Sequence, residues 1–423
     1  MHHFSYRNGV LHAEDVNLTH VAKAAGTPFY CYSTATIERH YRLFADAVGA
    51  PARHVFYAMK ANSNLGVLRT LANLGAGADT VSEGEIRKAM AAGIPASRIV
   101  FSGVGKTEEE LAFAVDAGLY QINIESEGEL DVLSRVAAAR NRRQKTVIRI
   151  NPDVGAGGHA KITTGSSANK FGVSLAEAER LYVKAANLPG ISMVGLAVHI
   201  GSQITVLDEL ETAFSRMRGL TERLKGQGLP VERLDLGGGL GIPYEVPQNF
   251  THGPDLIQAY AAMVDRTFKG LDVELAFEPG RLIVGNAGIL VTRVLYLNSR
   301  PAKTFLVVDA AMNDLIRPAM YEAYHEIWPV TEPGAARQRY DVVGPICESG
   351  DTFCTDRELP KTNPGELLAF MTAGAYGAAM SSTYNLRRLV PEVLVRDTEF
   401  AVVRPRQSYD DLIGLDRMPA WLV

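Results

Sequence analysis

A single lysine closes the apolar part of the segment His54–Asn64, HVFYAMKANSN. Val55 to Met59 read as a short strand, Lys60 stands at its end, and Ala61-Asn62-Ser63-Asn64 reads as a turn. An ammonium is costly to bury unless it is paired or neutralised. Forming an imine with an aldehyde removes that charge and creates a reactive centre. Three other stretches carry groups that complement such a centre. Asp235-Leu236-Gly237-Gly238-Gly239-Leu240-Gly241 places four glycines in five positions after a strand. Bare amides there can cradle a phosphate, although a tight turn explains the same glycines. It is neither a Walker loop nor a dinucleotide fingerprint. Glu278-Pro279-Gly280-Arg281 ends another strand. Its carboxylate suits a protonated pyridine nitrogen, which makes such a ring an electron sink; a plain Glu–Arg pair is the competing reading. His199-Ile200-Gly201-Ser202-Gln203 offers an imidazole to stack on a flat ring and a hydroxyl to reach a phosphate. No second His or Cys stands at ligand spacing, so no metal is expected.

These groups need a scaffold that brings strand ends together. Eight β-type runs recur between residues 26 and 281: His54–Lys60, Ala76–Ser82, Arg98–Ser102, Tyr120–Glu125, Thr146–Asn151, Met193–His199, Arg233–Leu236 and Glu274–Glu278. Helical patterns alternate with them, at Ser82–Ala92, Thr107–Ala117, Glu127–Arg140 and Ser174–Ala186. Several open on Ser or Thr followed by acids, an N-cap pattern. Eight repeats predict a closed parallel (β/α)8 barrel in preference to a doubly wound open sheet. Lys60, Ser82, Ser102, Glu125, Asn151, His199, the glycine turn and Glu278 then converge on one mouth, where barrels of this class keep their active sites. The loop 152–171, rich in Gly, Ser and Thr, is expected to be a lid. Asp79, Ser82, His159 and Lys170 are candidates to line the pocket.

Beyond residue 282 the texture becomes β-rich, with runs at Ala287–Leu297, Thr304–Asp309, Tyr340–Val343, Glu366–Thr372 and Glu392–Val403. This predicts an antiparallel β domain over 282–423, joined by residues 1–25, whose Asn8-Gly9 marks a hairpin. With 47% hydrophobic and 21% charged residues and a net charge of −4, nothing asks for nucleic acid or a membrane surface. Cys31, Cys347 and Cys354 are too few for a disulfide framework. Without a secretory signal or a long apolar run, the expected compartment is the cytoplasm.

Tyr57-Ala58-Met59-Lys60-Ala61-Asn62, His199-Ile200-Gly201-Ser202, Gly237-Gly238-Gly239 and Glu278-Pro279-Gly280-Arg281 together resemble the pyridoxal phosphate decarboxylases of the alanine-racemase fold group, the ornithine/diaminopimelate/arginine decarboxylase family. Met312–Tyr321, Gly344–Asp351 and Gly374–Gly377 are similar to its diaminopimelate branch, and the likeness runs the whole chain. The resemblance implies that Lys60 holds the cofactor as an imine, His199 stacks on its ring and Glu278 pairs with its nitrogen. It implies that Ser202, Gly238, Gly239, Gly280, Arg281 and Tyr376 hold the phosphate. Arg281, Arg317, Tyr321, Glu348 and Tyr376 would bind substrate, and Cys347 would protonate the carbanion left by carbon dioxide. In the family Cys347 and Glu348 reach a partner's barrel, so a homodimer with shared sites is implied. The expected reaction is meso-diaminopimelate to L-lysine and carbon dioxide, the last step of lysine synthesis. Diaminopimelate keeps a second amino-acid head, and its carboxylate calls for an arginine such as Arg317. Decarboxylation of ornithine or arginine is the alternative reaction; a non-catalytic relative that acts by binding a partner is the alternative class.

Overall fold

The computed structural model describes residues 2–49, 52–155, 165, 169–245, 253–332, 334 and 336–422. They form two compact units. One holds Glu38–Pro243 and Gln248–Ile283; the other holds Met1–Ile37, Tyr244–Pro247 and Val284–Val423. Among the described residues no helix is long and apolar enough to cross a membrane.

The first unit is a closed parallel barrel. Its strands are β1 (Arg53–Ala58), β2 (Gly77–Thr80), β3 (Ile99–Phe101), β4 (Gln121–Ile124), β5 (Gln144–Asn151), β6 (Ile191–Val198), β7 (Arg233–Asp235) and β8 (Glu274–Phe277). They answer one for one to the eight runs read from the sequence. Leu275 of β8 pairs with Arg53 of β1, and Ile122 of β4 with Thr146 of β5, so the ring has no open edge. The helices begin where the Ser/Thr-then-acid patterns put them. Thr107 accepts from the Glu110 amide at 3.2 Å while the Glu110 carboxylate accepts from the Thr107 amide at 3.0 Å, a reciprocal cap. Ser82, Ser126 and Ser174 also cap their helices, each accepting from the backbone amide three residues on. Helix starts fixed like this set where each strand–helix loop opens onto the barrel's C-terminal face.

The second unit is mostly antiparallel. Along its main sheet lie Thr352–Pro360, Arg337–Val343, Thr304–Val308, Gly288–Ser299, Phe29–Ser33, Glu392–Arg396 and Glu399–Arg404, with Leu367–Phe370 also on Gly288–Ser299. Two neighbouring pairs are parallel: Thr304–Val308 with Arg337–Val343, and Phe29–Ser33 with Glu392–Arg396. Residues 26–37 were expected with the barrel. They group with the β-rich unit instead, because Phe29–Ser33 is a fully buried strand paired on both sides there. The expected hairpin is present. Phe4–Arg7 pairs with Val10–Ala13 across Asn8 and Gly9, both at positive φ (49° and 77°), as the tightest hairpin turns require. Phe4, Leu11, Leu18, Phe29, Ile289, Val330 and Val393 pack in this unit's core.

Candidate active site

Lys60 sits on a single 3-10 turn, Met59–Ala61, immediately after β1. The turn is built by asparagines. Asn62 accepts from the Asn64 amide at 3.0 Å, Asn64 accepts from the Gly66 amide at 2.8 Å, and the Tyr57 hydroxyl donates to the Asn62 carbonyl at 3.0 Å. Such side-chain caps stop the strand and aim the lysine. Its Nζ lies 3.2 Å from Oδ2 of Asp79, whose side chain is fully buried while that of Lys60 is 37% exposed. An amine held by a sunken carboxylate yet open to solvent can be loaded from outside.

With Asp79, two further carboxylates, Asp235 and Glu278, are buried in the barrel unit. Asp235 accepts from Gln121 Nε2 at 2.9 Å, from Asn123 Nδ2 at 3.3 Å and from the Gly237 amide at 3.0 Å. Asn123 also donates to Ser102 Oγ at 3.0 Å. Burial, then the charges of Asp235 and Asp79, push Glu278 well above the ordinary carboxylate range, and it hydrogen-bonds to Asp235. Burial raises Asp235 as well. Like charges this deep disfavour one another's ionisation, which favours a proton on Glu278 despite the opposing charge of Lys60. Its Oε1 is buried with no hydrogen-bond partner among the described residues. A protonated acid with an unanswered oxygen fits a heteroaromatic nitrogen, which would take that proton and leave an ion pair.

His199 follows β6 at the rim. The Gly238 amide donates to its Nδ1 at 3.2 Å, which fixes the neutral ring with hydrogen on Nε2. Loss of solvation, then the charges of Lys60 and Arg149, hold its pKa well below the usual value. A neutral imidazole is the form that stacks on a flat ring without adding charge. The glycine turn is packed as closely as its sequence suggests. A Cβ on Gly238 would lie 2.1 Å from the Glu278 carbonyl oxygen, and one on Gly239, at φ +111°, would lie 2.5 Å from that of Gly201. Close backbone approach therefore requires these glycines before any ligand is considered. Arg281 donates to Ser202 Oγ at 3.1 Å, joining two of the residues expected to meet a phosphate. A Cβ on Gly280 would lie 3.1 Å from the Cβ atoms of Ala58 and Ala61, which packs the β8 loop onto the lysine turn.

Two buried ion pairs brace the mouth, and the sequence reading assigned them no role. Glu125 accepts from Arg149 at 2.9 Å and from the amides of Gly103 at 3.1 Å and Gly172 at 3.0 Å. Arg149 also donates to the His199 carbonyl at 3.3 Å. The pair thus ties the segments after β3, β4, β5 and β6. Lys106 and Glu129 form the second pair beside it. Glu125 was recognised as a strand end; Arg149 lies within β5 beside buried Ile148 and Ile150, where no alternation marked it. Of the unranked candidates, Asp79 reaches Lys60, Ser82 is committed to its helix cap, and Lys170 lies 5.3 Å above the Phe171 ring. His159 and most of the expected lid at 152–171 lie outside the described residues.

The β-rich unit carries the other expected residues. Arg317 and Tyr321 sit on the short helix Arg317–Tyr321, with Arg317 buried and Tyr321 half-buried. Cys347 and Glu348 are exposed on the loop after Arg337–Val343. The Cys347 amide donates to Asn385 at 3.0 Å, and Asp351 pins the loop by accepting from the amides of Ile346 and Met312, each at 2.6 Å. Tyr376 adopts a left-handed backbone, φ +56°, between Gly374 and Gly377; a non-glycine residue there is a strained position. Cys31 is fully buried and burial pushes its thiol up, which leaves it inert. Cys354 is half-buried in a strand and its thiol is also raised.

Residues 34–285 match the family model described as "Pyridoxal-dependent decarboxylase, pyridoxal binding domain". The diaminopimelate decarboxylase of Pseudomonas aeruginosa is 47% identical over 409 residues, 97% of each chain. Among solved structures, diaminopimelate decarboxylase of Helicobacter pylori complexed with L-lysine is 38% identical with a TM-score of 0.90, covering 94% of this chain and 99% of that one. The M. jannaschii enzyme in complex with L-lysine is 34% identical with a TM-score of 0.93, covering 99% of each.

Proposed function

Because the chain belongs to the diaminopimelate decarboxylase family of pyridoxal-dependent decarboxylases, we propose that it converts meso-diaminopimelate to L-lysine and carbon dioxide. Pyridoxal phosphate, when bound, supplies the electron sink that makes loss of the carboxylate feasible. The observation that carries the reading is the presence, in one barrel, of the Lys60 amine on Asp79 and a buried Glu278 whose Oε1 lacks a partner among the described residues.

In this reading Lys60 is the anchoring amine, and Asp79 keeps it at the mouth before loading. Glu278, which burial raises well above the ordinary carboxylate range, would pair with the nitrogen of a bound pyridoxal ring. His199, kept neutral by burial, would stack on that ring. Ser202, Gly238, Gly239, Gly280, Arg281 and Tyr376 hold the phosphate, Arg281 already sharing a hydrogen bond with Ser202. Arg317 takes the carboxylate of the substrate's spectator head, with Tyr321 beside it, and Glu348 takes its ammonium. Cys347 returns a proton to the carbon that lost carbon dioxide. Exposure of Cys347 and Glu348 on a braced loop supports their delivery to a second subunit, so the working form is a homodimer with shared sites. A cytoplasmic location goes with this biosynthetic role.

The test is carbon dioxide release from purified protein, with and without added pyridoxal phosphate, on diaminopimelate, ornithine and arginine. Release confined to diaminopimelate is expected. Faster release from ornithine or arginine would replace the substrate, and no release from any would remove the enzyme reading.

A further inference from the structure

Arg317 is buried on its short helix, and the neighbours that orient its guanidinium include His325 and Tyr244. Its Nη1 lies 2.9 Å from Nε2 of His325. Nδ1 of the same imidazole lies 2.8 Å from the Met371 carbonyl oxygen. Tyr244 completes the arrangement: the Arg317 guanidinium carbon lies 4.3 Å over its ring, and that ring meets His325 edge-on at 5.5 Å. Residues 244, 317, 325 and 371 all belong to the β-rich unit.

The hydrogen bonds admit one tautomer. A carbonyl can only accept, so Nδ1 carries the hydrogen. A guanidinium can only donate, so Nε2 offers its lone pair. A second proton on His325 would set two donors against each other. The ring is therefore a neutral relay from the Met371 backbone to Arg317. A bond from a terminal nitrogen to a fixed acceptor helps set the plane and direction of a guanidinium. A fixed plane matters because a carboxylate is recognised by two parallel N–H groups, and that fork fails when it is rotated.

We propose that His325 is a positioning residue that, with Tyr244, orients Arg317 for the carboxylate of the substrate's non-reacting amino-acid head. This rests on the proposed substrate and makes His325 a determinant of selectivity for an amino-acid head over a bare amine. Its role is exerted through Arg317 alone.

The test uses the holoenzyme and separates His325→Asn, which keeps a donor toward Met371 but is too short to reach Arg317, from His325→Gln, which restores an acceptor near Nε2. His325→Asn should raise KM for diaminopimelate about tenfold, as expected for a lost hydrogen bond to a charged group, with kcat little changed. It should weaken equilibrium binding of L-lysine, which retains the intact head, by a similar factor, and leave binding of pentane-1,5-diamine, which has no carboxylate, unchanged. His325→Gln should stay near wild type in both. In an Arg317→Ala background the His325→Asn change should add less than about twofold, because the residue it serves is gone. An unaltered KM in folded His325→Asn, an equal loss in the Arg317→Ala background, or equal weakening of the diamine overturns the assignment. Should His325→Asn fail to fold, His325→Gln decides alone: tenfold weaker lysine binding in that variant overturns it. Wild type inactive on diaminopimelate refutes the substrate reading instead, whereas active wild type with an indifferent His325→Asn refutes only this inference.

Discussion

The buried pair of Glu125 and Arg149 should be among the costliest contacts in the barrel to break on one side. Their side chains are 2% and 10% exposed and 2.9 Å apart. At an effective dielectric near 20 the gross attraction is about 6 kcal/mol, most of it offset by desolvation. Glu125→Gln keeps the shape and removes the charge. It leaves Arg149 buried without its counter-ion and turns an NH2 toward Arg149, Gly103 or Gly172, whose N–H groups all now point at Glu125. The expected loss is about 3–5 kcal/mol of barrel stability. Arg149→Met should cost less, about 2 kcal/mol, because the two amides still answer the carboxylate. The double variant should recover part of the sum, with a coupling of about 2 kcal/mol. The assay is urea unfolding read two ways. The long helices lie in the barrel unit, so far-ultraviolet circular dichroism follows that unit. Both tryptophans, Trp328 and Trp421, lie in the β-rich unit, so fluorescence follows the other. The dichroism midpoint should fall in the variants while the fluorescence midpoint holds. Single variants that cost under about 1 kcal/mol, or that add without coupling, would refute the brace.

Lys60→Ala should abolish the imine absorbance and activity together; a band that borohydride still fixes to the protein would contradict the anchoring role. Gly238→Ala should lower barrel stability by a few kcal/mol and weaken cofactor binding, since its Cβ would fall 2.1 Å from the Glu278 carbonyl oxygen; a folded variant of full cofactor affinity would show that the turn relaxes. Burial raises Asp314 from 3.8 to about 7. The folded state therefore holds this proton more tightly, and the β-rich unit should lose stability as pH rises from about 4 to about 7. Asp314→Asn, which keeps an acceptor for the Ala311 amide, should flatten that slope; an unchanged slope would place the titration elsewhere.

Much of the barrel was legible because its strands end in residues that do not belong in a core and its helices start on hydroxyls followed by acids. Phe29–Ser33 was missed. All five of its residues are buried, so it shows no alternation, and it follows Pro28 directly. Thr352–Pro360 was hidden by Asp356, Arg357 and Glu358 on an edge that solvent can reach. Glu392–Val403 read as one run but folds as a hairpin, because Asp397 turns the chain at φ +52°. In the site, Lys60, His199 and Glu278 announce themselves as strand ends. Asp235 was quoted only as the start of a glycine motif, since its bonds to Gln121 and Asn123 come from a strand more than a hundred residues away. His325 reads as an ordinary histidine until the chain brings Met371 and Tyr244 to it.

Phe29–Ser33 has a consequence for how the polypeptide is made. Its two sheet neighbours, Gly288–Ser299 and Glu392–Arg396, are synthesised only after the intervening barrel. This early segment must therefore wait through the translation of the barrel before either flank is satisfied. A product cut short of residue 392 leaves one side of this apolar strand uncovered, a template for self-association.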